Sequence, residues 1–521
     1  MPRAAVLSLL LVPSALAAQT LARGSSERAA SSITADGIRR RISILADDSM
    51  RGRDTPSPEL EKVATWVAAE FRRFGLRPGG DSGTYLQRYV IRRTQIDTAQ
   101  TFLSVSRAGG SSTMLGAGSD IEVLRLGPPL PSADVSGPVV VLTGRTERAA
   151  EPLAGVAVRG AWILEFATHG AAGSDVVDLS AAEAAFVAGA VGLLVISDRS
   201  DAEWQAGLSA ANGPTLTIGG PSSVEAARAP GLATIRARTA RRALGLDLAT
   251  LRMERHRSAR QLPGVILTLR VRERLLRQDS APNVIGILDG SDALLRNEYV
   301  FFTAHMDHLG VAGRANAACR ERGGDSICNG ADDNASGTTA VIEAAHAFSQ
   351  LQPRPRRSLV FMTVSGEEKG LWGSEYFSEH PTVPWSAVVA DVNSDMVGRN
   401  WRDTIAVIGK EQSDLGATLD RVAAVHPELR MTPIGDIWPE QRFYERSDHY
   451  NFARRGVPIL FFCNGTHSDY HAVTDEVAKI DAEKESRIVK LVFYLGLEIA
   501  DAAERPRWDP ESYKRVVEAA N

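Results

Sequence analysis

From Ala281 onward the chain alternates apolar runs of strand length with amphipathic stretches of helix length, and this alternation constrains the fold more than any other feature. Strands are expected at 283–288, 299–304, 359–364, 387–392 and 457–463, and helices at about 337–351, 373–378, 414–426 and 483–503. A pattern of this kind predicts an α/β fold, with a mostly parallel central sheet flanked by helices. Polar groups follow the expected strand ends: His305, Glu367 with Glu368, Asp395, and the loop to His471. Open α/β sheets bind ligands in the crevice at those carboxyl ends. Glu367 and Glu368 directly follow an apolar run, where two adjacent like charges repel unless a cation or a proton lies between them. With His305, Asp307, Asp332, Asp333, Asp395 and His471 they supply oxygen and imidazole ligands enough for two divalent metals, a hydrolase signature.

A chain of 521 residues is too long for one ordinary core, so two domains are expected. The net charge of −4 provides no basic field for nucleic acid. No stretch beyond the first residues is long and apolar enough to span a bilayer. Residues 1–18 combine Arg3, an apolar stretch from Ala4 to Val12 and the small residues Ala15, Ala17 and Ala18. They read as a secretory signal peptide, which predicts a secreted or periplasmic protein. Export permits a disulfide between Cys319 and Cys328, while Cys463, inside an apolar strand, reads as an inert buried thiol.

Near the N-terminus, Ser57-Pro58-Glu59 is a helix start, with a capping hydroxyl, proline in the first turn and an acid near the dipole. The helix carries Leu60, Val63, Val67, Phe71 and Phe74 and stops at Gly75. Composition changes at about residue 118. From there to about 262 come many short β runs and one or two helices, without a cluster of histidines and carboxylates. The run from Arg159 to Leu164, followed by a helix and the Gly189–Ile196 segment, resembles a protease-associated domain. The expected organisation is therefore a signal peptide at 1–18, the N-terminal part of a catalytic domain at 19–117, and an inserted β-rich module at 118–262. The main catalytic part follows at 263–505, with a C-terminal tail at 506–521.

His305 and Asp307 point the same way on an extended segment, so Asp307 is a natural acceptor for the imidazole N–H and fixes its orientation. Asp332 and Asp333 open a glycine-flanked turn before an apolar helix, where simple N-capping is the competing reading.

With Ala304–Gly310, Gly330–Gly337, Ser365–Glu368, Asn393–Gly398, Ser447-Asp448-His449 and Tyr470-His471 in this order, the chain resembles the M28 family of co-catalytic zinc peptidases. The resemblance implies the zinc-exopeptidase fold and two zinc ions, other divalent metals being possible. Asp333 would bridge them, His305 and Asp395 would complete one site, and Glu368 and His471 the other. Choosing Asp333 over Asp332 rests on the family pattern alone. Glu367 would be the general base and Tyr470 a donor to the oxyanion. A water shared by two such ions loses a proton near neutral pH, which Glu367 accepts and passes to the leaving amine.

The implied protein is an exported two-zinc aminopeptidase acting on peptides. A carboxypeptidase or dipeptidase on the same fold is the nearest alternative, and a non-enzymatic receptor or scaffold on a peptidase fold is the alternative of another class. Arg314, Arg320, Arg322, Arg442, Arg446, Arg454 and Arg455 fall in segments that would line the cleft or stand as surface charges.

Overall fold

The computed structural model describes residues 24–519 apart from 126–129, 131–132, 144–152, 154, 170–174, 178, 220–228, 248–249, 252–257 and 314–318. The expected signal peptide and Arg314 lie outside the described residues. The chain forms two compact units: residues 1–89 with 280–521, and residues 90–279.

The first unit is built on strands β1 (Glu273–Leu288, which enters it at residue 280), β2 (Tyr299–His305), β3 (Ser358–Val364), β4 (Val388–Ser394), β5 (Thr404–Ile408), β6 (Thr432–Ile434) and β7 (Ile459–Phe462). Their order is β1-β3-β2-β4-β7-β5-β6. The four central strands β3, β2, β4 and β7 are parallel. β1 and β5 pair with this block in antiparallel sense. The expected mostly parallel sheet is thus its central part. β5 and β6 were not foreseen.

Seven helices accompany this sheet in the argument: α1 (Ala35–Leu45), α2 (Pro58–Arg73), α3 (Gly337–Ser349), α4 (Trp372–Glu379), α5 (Leu415–Val425), α6 (His449–Ala453) and α7 (Ala482–Asp501). Successive residues of a strand face opposite sides of a sheet, and β2 shows what covers each side. Phe301 packs on Phe377 of α4 and Phe452 of α6, whereas Phe302 packs on Phe348 of α3. Helices therefore cover both faces. α2 begins and ends as its sequence dictates: the Ser57 hydroxyl accepts from Leu60 N–H, Pro58 takes the first turn, and Gly75 leaves the helix at φ +76°. Its buried stripe is Leu60, Val63, Ala64, Val67 and Phe71.

The second unit holds an eight-stranded sheet. Its middle strands Val135–Thr143, Trp162–Phe166, Gly192–Ser197 and Gly231–Arg236 are parallel. The wholly buried Trp162 sits in its core with Leu103, Val105, Leu164, Leu194 and Leu267.

Two expected boundaries are corrected. The inserted unit starts at 90 rather than 118, because Phe102–Arg107 and Ser112–Gly116 join its sheet beside Ser258–Arg270 and bury Leu103, Val105 and Leu115 there. It ends at 279 rather than 262, because Ser258–Arg270 continues its sheet beyond that point. Nor is 506–521 a free tail. Residues 510–518 are helical, and Val516 and Val517 are buried in the same cluster as Phe301 and Phe452. Cys319 and Cys328 form a disulfide.

The aromatic layer between β2, β3 and α3 predicts where stability resides. Phe361 is fully buried, stacks on Phe302 and meets Phe71 and Phe348. Phe361→Ala is expected to lower unfolding free energy by about 3–5 kcal/mol, read from chemical denaturation.

Candidate metal centre

Each expected ligand leaves the carboxyl end of a strand or the loop after it. His305 is the last residue of β2, Glu367 and Glu368 lie in a short turn after β3, and Asp395 follows β4. Asp333 sits in the turn Ala331–Ser336 ahead of α3, and His471 in the loop after β7. Gly330 makes that first turn possible: its φ is +56°, and a Cβ would collide with the Asp333 carbonyl. His471 itself holds φ +56°, a left-handed conformation uncommon outside glycine.

The side chains converge as two half-sites joined by one carboxylate. Asp333 Oδ1 is 3.4 Å from His305 Nε2, which is also 3.4 Å from Asp395 Oδ1. Asp333 Oδ2 is 3.3 Å from His471 Nε2, which is 3.3 Å from Glu368 Oε2. Ligand atoms about 2.0–2.1 Å from a tetrahedral zinc stand about 3.3–3.4 Å apart along an edge, so these separations fit two ions. Asp395 Oδ1, which faces His305, is buried without a hydrogen-bond partner, as a metal-facing oxygen would be, while Glu368 Oε1 has His308 Nδ1 beside it at 2.7 Å. Glu367 Oε2 stands 4.0 Å from His305 Nε2, farther than Asp333 or Asp395 but in the same group of side chains.

Charge dominates this edge. Burial pushes the Glu367 carboxyl well above the usual range, opposed by His305, and burial likewise raises Glu368. Burial would lower His305, but Asp395 and Glu367 outweigh it and hold the imidazole well above its ordinary value. Asp395 is lowered: the penalty of burial is overcome by His305 and by the Ser447 hydroxyl, which donates to Oδ2 at 3.0 Å.

Asp332 is turned away from the centre. Its Oδ1 accepts from Gly398 N–H at 2.6 Å and its Oδ2 lies 3.2 Å from His467 Nε2. Asp307 differs in detail from expectation. The His305 Nδ1 neighbour at 3.2 Å is the Asp307 carbonyl, with the carboxylate at 3.8 Å. That carboxylate accepts from the Thr55 hydroxyl at 2.8 Å and from Glu367 N–H at 3.3 Å, so it steadies the turn that carries the base. Tyr470 stacks on His471 with centroids 3.8 Å apart, and Arg446 Nη2 reaches its hydroxyl at 3.3 Å. Both line a cavity with His305, Asp333, Glu367, Asp395 and His471. Of the other arginines, Arg442 pairs with Glu445, and Arg454 lies over Tyr450. Cys463 is buried, its sulfur accepting from Gly465 N–H.

Three contributors had no assigned role in the sequence reading. Buried Arg53 donates to the carbonyls of Leu45, Met306, Asn329 and Gly330, pinning the loops on either side of His305 and Asp333. Ser447 holds Asp395. Buried His308 Nδ1 lies 2.7 Å from Glu368 Oε1, closer than two ligands of one ion stand. Its placement three residues after His305 was the available signal.

This is a candidate metal centre at one edge of an α/β sheet. Residues 283–496 match the model of peptidase family M28. Among curated relatives, a probable leucine aminopeptidase of Arthroderma benhamiae is 29% identical over 188 residues, 33% of this chain and 49% of the relative. A probable glutamate carboxypeptidase of the same organism is 30% identical over 235 residues, 42% of this chain and 26% of the relative. The chain spans about half the length, or less, of these relatives. Among solved structures, an aminopeptidase from Aneurinibacillus sp. strain AM-1 is 17% identical, with a TM-score of 0.48 over 93% of this chain and 98% of that one. Among the described residues no helix is long and apolar enough to cross a membrane.

The wall behind Asp395 carries a pH prediction. Burial lowers His449 to about 3, and its Nε2–H donates to the Tyr444 carbonyl at 2.9 Å. The unfolded chain protonates this group below about 6.5 and the folded chain only below about 3. Stability contributed by neutral His449 is therefore lost as pH falls from about 6.5 toward 3. His449→Gln is expected to flatten that slope by up to about 1.4 kcal/mol per pH unit in denaturation curves. An unchanged slope would exclude His449 as its source.

Proposed function

We propose that this protein is an exported, two-zinc aminopeptidase. The observation that carries the reading is the position of Asp333, one oxygen toward His305 with Asp395 and the other toward His471 with Glu368. When bound, a pair of divalent ions acidifies a shared water and polarises a peptide carbonyl. Glu367 stands farther from His305 than Asp333 or Asp395 and has a raised proton affinity, as a group that must take a proton and release it to a leaving amine requires. The Tyr470 hydroxyl, on the same cavity wall, is placed to donate toward a developing oxyanion. Acidic residues on the cavity wall, Asp333, Glu367 and Asp395, outnumber its arginine, Arg446, which favours a free ammonium group, and the leucine aminopeptidase named above agrees in sense. The Cys319–Cys328 disulfide supports export, since such bonds persist in oxidising compartments. The second unit is read as a protease-associated module.

One observation favours a second reading, a carboxypeptidase or dipeptidase. Arg446 is a cation on the cavity wall, and a substrate carboxylate would seek one.

Glu367→Gln should retain the metal content of the wild type and lose about 10²–10⁴-fold in turnover, measured by elemental analysis beside kinetics. Undiminished turnover with full metal would remove Glu367 from the role of base. With the wild type, peptides amidated at the C-terminus should be cleaved and N-acetylated ones spared. The reverse pattern would establish the second reading.

A further inference from the structure

Two loops supply the second half-site from different parts of the chain: 329–333 brings Asp333, and the segment after β7 brings His471. Between them lies Asp475, wholly buried and four residues beyond His471. Its carboxylate accepts from Asp332 N–H at 3.1 Å on Oδ1 and 3.0 Å on Oδ2, and from Asp333 N–H at 3.0 Å on Oδ2. Its backbone carbonyl accepts from Ala331 N–H at 3.1 Å. Three consecutive N–H groups of the Asp333 loop therefore end on one residue of the His471 loop. Its neighbour adds a fourth link, with Glu476 Oε1 accepting from Asn329 Nδ2 at 3.1 Å. Asp475 N–H in turn donates to the Ala472 carbonyl, beside His471.

We infer that Asp475 is a positioning residue that fixes Asp333 and His471 relative to each other and so sets the affinity of the second metal position. This rests on the two-metal reading above. A carboxylate is the one side chain able to accept from two successive backbone N–H groups through adjacent oxygens while remaining acceptor-only. Such charge-assisted bonds are about twice as strong as neutral ones, and the site is dry, so their loss frees both loops. Asp475 meets Asp333 through the backbone N–H and not through its carboxylate, so it positions the loop and is not a ligand. Asp333 is shared by both positions, but only the second also takes His471 from the loop that Asp475 ties. His305 and Asp395 are held by other groups, the Asp307 carbonyl and the Ser447 hydroxyl, so the effect should fall chiefly on the second position. Ordinary loop capping by Asp475 would also use these bonds, but it would not discriminate between two metals.

The test is calorimetric titration of the metal-stripped, full-length protein with zinc chloride, for the wild type, Asp475→Asn and His471→Ala. The wild type should take up two ions in resolvable steps. Asp475→Asn, which keeps the side-chain volume but sets an amide N–H₂ against backbone donors, should weaken one step by about 10–100-fold and leave the other within about twofold. The weakened step should be the one that His471→Ala also weakens. Two unaltered steps, or two steps weakened alike, would overturn the inference. A wild type that takes up a single ion would instead overturn the two-metal reading, and this inference with it. Should Asp475→Asn fail to fold, amide exchange of the wild type decides: Ala331, Asp332 and Asp333 should exchange slowly and together, and fast exchange at the latter two would refute the tie.

Discussion

Buried negative charge is the constraint on which the rest of the structure turns. Asp333, Glu367, Glu368 and Asp395 crowd one end of the sheet, with Asp307 and Asp448 fully buried behind them. Burial, opposed by His305 and reinforced by neighbouring carboxylates, leaves Asp307 at about 6 and Asp448 at about 7. A group of carboxylates this dense cannot ionise together in a dry site unless cations enter it or protons stay on. His305 and His471 are its close imidazole partners, and both are held above their ordinary proton affinity, chiefly by Asp395 and by Asp333 once the cost of burial is overcome. The site is thus poised for divalent ions, whose charge the ligands lack.

The fold answers this constraint in two ways. Four parallel strands end together, so residues far apart in sequence reach one edge without long loops. Behind them a ring of donors steadies each ligand through its backbone or its far oxygen. Arg53 holds four carbonyls, Thr55 holds Asp307, and Ser447 holds Asp395. Outer contacts of this type fix the orientation of metal ligands. They come from the N-terminal segment as much as from the strand–helix region, so residues 47–57 belong to the centre although they contribute no ligand.

Much of this was legible in the sequence because the signal was local. The strand cores, the start of α2 at Ser57 and the halt near Gly75 follow from apolar spacing and turn chemistry. Glu367 and Glu368 announced themselves by sitting at a strand end. What stayed hidden was long-range. The unit boundary was drawn at 118 because composition shifts there, whereas the actual division at 90 depends on Phe102–Arg107 pairing with Ser258–Arg270, a contact no local pattern reports. Residues 510–518 looked like a tail because only Val516 and Val517 reach the core. Strand β5, five residues long, carried too short a run to stand out. Arg53 had no assigned role, since nothing beside it in sequence names the carbonyls it meets.

The choice between Asp332 and Asp333 shows where sequence ends and structure begins. Two adjacent aspartates in a glycine-flanked turn are chemically equivalent in one dimension, and family resemblance alone separated them. In three dimensions they differ in what their oxygens touch. Asp332 has both engaged, one by Gly398 N–H and one beside His467, in a pocket with buried Glu485. Asp333 turns both toward imidazoles, at distances too long for good hydrogen bonds and right for sharing ions. A buried acceptor left without a donor is costly, so a chain that keeps such acceptors converging on one point needs a partner there. Asp395 Oδ1 and Glu368 Oε1 lack hydrogen-bond partners, whereas Asp332, Asp307 and Asp475 have their oxygens engaged by backbone N–H groups and the Thr55 hydroxyl. Engagement of lone pairs, rather than residue type or spacing, is what separates Asp332 from Asp333.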